Sequence, residues 1–197
     1  MENAFHEEQH PPKLFFFDKV FNKTLLPLIP QKVKPNYLTV LRFLMVPFVV
    51  FFIWQGNYWI GLILFLIAAL TDALDGALAR TRDQITAWGK MFDPLADKLL
   101  ICTVVFVLVL KYVDFYAAWI IILLETVIVT AALYKRKDGS EVQSNFWGKV
   151  KMCLQVLGVV LLLLSLVFQW DALLPVSRGA FYVAIAFAII SLFTYSI

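Results

Sequence analysis

Four aspartates carry the most chemistry in this chain. Asp72 and Asp75 stand three residues apart, and Asp93 and Asp97 four apart, spacings that put each pair on one face of a helix. Both pairs adjoin long apolar runs, where an ionised side chain is costly and rarely present without a task. Four carboxylates brought together would repel one another, and divalent cations remove that repulsion. Hard oxygen ligands suit Mg²⁺, Mn²⁺ or Ca²⁺, whereas no His or Cys cluster offers a zinc site. Carboxylates shared between two ions can hold a two-metal site, which binds a pyrophosphate and neutralises charge as a P–O bond breaks.

Small residues and an arginine accompany the acids. Gly76 and Ala79 follow Asp75 at helical spacing, and Gly89 sits one turn before Asp93, leaving flat backbone that a ligand can approach. Arg80 adds a guanidinium suited to phosphate oxygens. Plainer readings stand beside these: Gly and Ala also serve helix packing, and Arg80 and Lys90 also suit flanking charges at a membrane surface.

The elements that must position these groups are apolar. Of 197 residues, 61% are hydrophobic and 16% charged, against about a quarter charged in soluble domains. The surplus apolar surface must face lipid. Runs long enough to cross a bilayer cover about 37–54, 58–78, 91–110, 115–134, 150–168 and 179–197. In lipid such runs are helices, because the backbone finds no other partner there. The expected fold is therefore all-α: a polytopic membrane protein with six transmembrane helices in residues 35–197. Residues 1–34 form a separate cytoplasmic segment. In it Phe17, Val20, Phe21, Leu25 and Leu28 recur at helical spacing, which suits an interfacial amphipathic helix; an irregular tail anchored by aromatics is the alternative. The opening thirty residues are too polar for a cleavable signal peptide. Cys102 and Cys153 lie in apolar runs and read as small buried hydrophobes.

The basic residues set the orientation. Lys13, Lys19, Lys23, Lys32, Lys34, Arg80, Arg82, Lys90, Lys135, Arg136, Lys137 and Lys149 fall on one side of the spans, against Lys111 and Arg178 on the other. That asymmetry puts the amino terminus and the loops near 80–90 and 135–149 in the cytoplasm. The acid pairs open to that side of the cell membrane.

The ordered set Asp72-x-x-Asp75-Gly76-x-x-Ala79-Arg80, eight residues, then Gly89-x-x-x-Asp93-x-x-x-Asp97 resembles the signature of the CDP-alcohol phosphotransferase family at every fixed position. The resemblance implies a six-helix membrane fold, a homodimer, a cytoplasmic-facing polar cavity and a metal-dependent transfer from CDP-diacylglycerol to an alcohol, without nucleic acid. It implies that Asp72, Asp75, Asp93 and Asp97 bind Mg²⁺ or Mn²⁺ in a two-ion site. Asp97 is implied as general base, with Asp93 beside it in the catalytic pair. Gly76, Ala79 and Gly89 would seat the cytidine nucleotide and Arg80 its phosphates.

The likeness is closest to bacterial phosphatidylglycerophosphate synthases. Pro35-Asn36-Tyr37-Leu38-Thr39-Val40-Leu41-Arg42, Phe92 to Leu99, and Gly148-Lys149-Val150-Lys151 followed by Gln155 all resemble that subgroup, so glycerol 3-phosphate is the implied acceptor. One departure stands out: the subgroup's Arg-Glu in the fourth span is Leu124-Glu125 here, and its later arginine is replaced by Ala131 and Ala132. Arg42, Lys135, Arg136, Lys149 and Lys151 are the candidates to bind the acceptor phosphate in their place; each also reads as ordinary cytoplasmic charge. Glu125 is expected to face the cavity or to pair with Arg42 or Lys98. Two alternatives remain open. The same fold can use another acceptor, phosphatidylglycerol or inositol phosphate, and paired intramembrane acids also suit a divalent-cation transporter.

Overall fold

The computed structural model of the chain describes residues 35–81, 87–137 and 146–195. The expected interfacial helix before residue 35 lies outside them. The described residues form six helices: α1 Pro35–Trp54, α2 Tyr58–Thr81, α3 Ala87–Tyr112, α4 Phe115–Lys137, α5 Phe146–Phe168 and α6 Leu173–Tyr195. Four of them, α1, α2, α5 and α6, are long and apolar enough to cross a membrane.

Local chemistry sets the ends. After α1 the chain turns at Gly56, whose φ is +83°. The Asn57 N–H donates to the Phe52 carbonyl at 2.9 Å and the Gly56 N–H to that of Ile53 at 3.1 Å, the paired bonds of a Schellman cap. Helix α5 closes in a related way, with the Trp170 N–H donating to Ser165 O at 3.1 Å; here Gln169 adopts the left-handed conformation, φ +55°. Helix α4 starts on Asp114, whose Oδ1 accepts from the Ala117 N–H at 2.8 Å, an N-cap.

The observed helices match the expected runs within a few residues, except that α6 starts at Leu173, six residues before the expected 179. Pro175 falls in the first turn, where a missing N–H leaves no helical bond unmade. The Arg178 Nε donates to Tyr112 O at 3.0 Å, and Lys111 Nζ to Trp54 O at 2.9 Å. Both cations of this rim thus cap the carbonyl ends of neighbouring helices.

The main core lies between the helices, built from Val49, Ile53, Phe65, Leu100, Val104, Leu108, Leu162 and Phe181 among others. Gly61 lets α2 approach α1: a Cβ there would lie 2.6 Å from Ile53 Cγ1. The outer stripe of α1 is apolar too. Leu44, Phe48 and Phe51 are 60%, 59% and 52% exposed, which in water would be an aggregation surface and in lipid is ordinary. The acid-bearing ends of α2 and α3 carry only a small cluster, Ala77 and Leu78 with Leu38 against them. The few residues between α2 and α3 predict close antiparallel neighbours, and that expectation needs correcting. They touch only slightly, and α1 packs broadly against both. A short connection fixes proximity of two ends, not contact along two faces.

Candidate functional site

The four aspartates open onto one cavity. Asp72 and Asp75 come from the last turns of α2, Asp93 and Asp97 from the first half of α3. With Ala73, Gly76, Arg80 and Pro94 they line a cavity of about 400 Å³. Gly76 has a visible reason: a Cβ there would stand 3.2 Å from Arg80 Nη1 and 3.4 Å from Nη2. The guanidinium of Arg80 therefore lies across the glycine, one helical turn on, at the cavity wall. Gly89 is buried and Ala79 half-buried on the same two helices.

Three of the four carboxylates are held from α1. Arg42 Nη2 donates to Asp75 Oδ2 at 2.6 Å, and Arg42 Nη1 lies 2.8 Å from Asp72 Oδ1. That second contact is an ion pair without the alignment of a hydrogen bond. Thr39 Oγ1 donates to Asp93 Oδ1 at 2.6 Å. Thr39 and Arg42 are both fully buried and sit one turn apart on α1, on the face turned toward α2 and α3. Asp97 makes no hydrogen bond or ion pair among the described residues.

Arg42, an acceptor-phosphate candidate, lies against Asp72 and Asp75. Lys151 likewise lies in a buried ion pair. Its Nζ donates to Glu125 Oε1 at 2.5 Å, and Gln155 Nε2 donates to the same oxygen at 3.1 Å. Glu125, Lys151 and Gln155 are each at most 5% exposed. The partner of Glu125 is therefore Lys151, not Arg42 or Lys98, and the carboxylate does not line the aspartate cavity. It lines a second, largely apolar groove of about 230 Å³ between α3 and α4, with Lys98, Leu95, Leu99 and Cys102. Lys149 is exposed. Lys135 and Arg136 close α4, and their side chains lie outside the described ones.

The donor set fits a hard divalent cation: carboxylate oxygens from two helices around one space, with no competing soft ligand. Among the described residues no three acidic groups yet converge tightly enough to hold an ion. Arg42 and Thr39 hold Asp72, Asp75 and Asp93 toward α1. Near a protein surface, unit charges ~4 Å apart interact by about 4 kcal/mol. A counter-charge is therefore needed whenever these acids are ionised together.

Apolar helices that can span a bilayer, lipid-facing side chains and an acid-lined cavity at one end of the bundle define a multi-pass membrane protein. The family model of the CDP-alcohol phosphatidyltransferases matches residues 32–194, and the chain belongs to that family. Among curated proteins it resembles the CDP-diacylglycerol--glycerol-3-phosphate 3-phosphatidyltransferase of Bacillus subtilis, 37% identical over 66% of this chain and 68% of the relative. The enzyme of the same name from Rickettsia felis is 34% identical over 66% of this chain and 75% of its own. That from Sodalis glossinidius is 34% identical over 82% and 91%. Family membership sets aside the cation-transporter alternative.

Proposed function

We propose that this protein moves the phosphatidyl group of CDP-diacylglycerol onto the primary hydroxyl of glycerol 3-phosphate and releases CMP. The observation that carries the reading is the shared cavity of Asp72, Asp75, Asp93 and Asp97, with Asp97 the acid that has no hydrogen-bond or ion-pair partner among the described residues. The names of the relatives support the donor and the acceptor. Mg²⁺ or Mn²⁺ held by the four aspartates would supply positive charge to the diphosphate and to the departing CMP.

The rest follows from the chain's own groups. Arg80, laid over Gly76 at the cavity wall, binds phosphate oxygens of the nucleotide. Asp97 takes the proton of the acceptor hydroxyl. The acceptor oxygen then bonds to the β-phosphorus, which carries the lipid, and the bridging P–O bond breaks. Its electron pair leaves with CMP. Thr39 and Arg42 set the other three acids before the substrates arrive. Six helices crossing the cell membrane, with the cavity on the cytoplasmic side, let a lipid-anchored donor and a water-soluble acceptor meet at one surface; the basic residues of that side support the orientation.

An acceptor screen tests the proposal. Detergent-purified protein with Mn²⁺ and CDP-diacylglycerol is offered glycerol 3-phosphate, inositol phosphate, phosphatidylglycerol or serine. CMP is measured, and the lipid product is read by mass. Phosphatidylglycerophosphate is the expected product. CMP release with a different acceptor alone would overturn the substrate, and no release with any acceptor would overturn the reaction.

A further inference from the structure

Arg42 is a buried cation with an unusual set of neighbours. It has no exposed surface and does not line the aspartate cavity, yet it meets one oxygen each of Asp72 and Asp75. Among the described residues its Nε finds no hydrogen-bond partner, so the head group is seated for the two carboxylates rather than for its own full satisfaction. A planar fork can reach two acids one helical turn apart; a single ammonium cannot hold both in that geometry. Buried so, the guanidinium reaches no acceptor phosphate without letting go of the acids. Its place in the middle of an apolar helix is tolerable because these partners are there.

We propose that Arg42 is the resident counter-ion of the aspartate cavity, a positioning residue that holds Asp72 and Asp75 in place while no divalent cation is bound. Thr39, one turn earlier on the same face, does the neutral counterpart for Asp93 across the cleft. One helix thus sets three of the four acids before any ligand arrives. Pre-set ligands need little rearrangement on binding, the usual source of gain in preorganised sites. The inference rests on the proposed phosphotransferase reading in taking the cavity as a cation site.

Arg42→Gln and Arg42→Lys, purified in Mn²⁺ and then treated with EDTA, test it against the unaltered protein. Thermal unfolding with and without Mn²⁺ is the first readout, and Mn²⁺ binding followed by loss of the free-ion electron paramagnetic resonance signal is the second. Arg42→Gln should lose at least ~5 °C of midpoint in EDTA and regain most of it in saturating Mn²⁺, because the acids it leaves uncompensated can be neutralised by the ion. Unfolding of Arg42→Gln on chelation, where the unaltered protein stays folded, is the same result in stronger form. Arg42→Lys keeps the charge but not the fork; it should stay folded in EDTA and lose about tenfold in kcat at saturating Mn²⁺, with KM for glycerol 3-phosphate unchanged. An equal loss of midpoint with and without Mn²⁺ would make Arg42 a packing residue and sink the proposal. A rise in KM for glycerol 3-phosphate with kcat preserved would make it a phosphate ligand and also sink it. If the unaltered protein binds no Mn²⁺, the cation site itself fails, a result separable from either of these.

Discussion

The buried pair of Glu125 and Lys151 offers the sharpest energetic test. Replacing Lys151 with Met removes an ammonium from a carboxylate that is 5% exposed and leaves it with Gln155 as its remaining hydrogen-bond donor. Breaking a buried ion pair from one side costs about 3–5 kcal/mol. At ~2–4 °C per kcal/mol for a chain of this size, the midpoint should fall by roughly 6–20 °C. Lys98 shares the α3–α4 groove with Glu125 and can offset part of the exposed charge, so the lower half of that range is expected. In the double variant Glu125→Gln, Lys151→Met no charge remains, and the new amide oxygen still accepts from Gln155. The double variant should recover to within ~2 kcal/mol of the unaltered protein, a coupling of at least ~2 kcal/mol between the two sites. Thermal unfolding in one detergent, with all four proteins measured side by side, reads this directly. If Lys151→Met leaves the midpoint unchanged, or the double variant is no better than the single, the pair does not act as described. The same proteins test the acceptor candidates: recovery of the midpoint with a KM for glycerol 3-phosphate still raised would give Lys151 a substrate role beyond its ion pair.

Three further outcomes follow from the geometry. Asp97→Asn keeps the shape of the cavity but cannot take a proton, so turnover should fall by ~10²–10⁴-fold while CDP-diacylglycerol binding is largely kept; CMP release and equilibrium binding check the two halves. Gly61→Ala would place a methyl 2.6 Å from Ile53 Cγ1, a side chain with no exposed surface to move into. It should destabilise by about 1–3 kcal/mol, seen as a lower unfolding midpoint with metal binding intact. Gln169→Gly relieves a left-handed residue at the end of α5 and should raise stability by about 0.5–1 kcal/mol with unchanged activity.

Much of the site was written in spacing. Intervals of three and four put Asp72 with Asp75 and Asp93 with Asp97, and both pairs do line one cavity. Helix ends near Gly56 and Asp114 were close to expectation because apolar runs stop where cap residues begin. What spacing could not supply was the partner of each buried charge. Arg42 lies 33 residues from Asp75 and Lys151 26 from Glu125, separations that only the packing of whole helices closes. Signals were nonetheless present. Thr39 and Arg42, three apart in an apolar helix, form a polar face that requires polar company. Gln155, four after Lys151, repeats the pattern on α5. Arg42 reads in the sequence as a partner for Glu125 or for an acceptor phosphate, whereas two acids of α2 are equally in need of a cation.

The slight contact between α2 and α3 has its own consequence. A slot whose two walls scarcely meet takes its width from whatever stands behind it, and here that is α1. Lengthening or trimming a side chain such as Leu38, which packs against Leu78 beneath the walls, would spread or narrow the gap without altering any group that lines it. The width of the cavity is thus set from α1, a helix that contributes none of its lining residues.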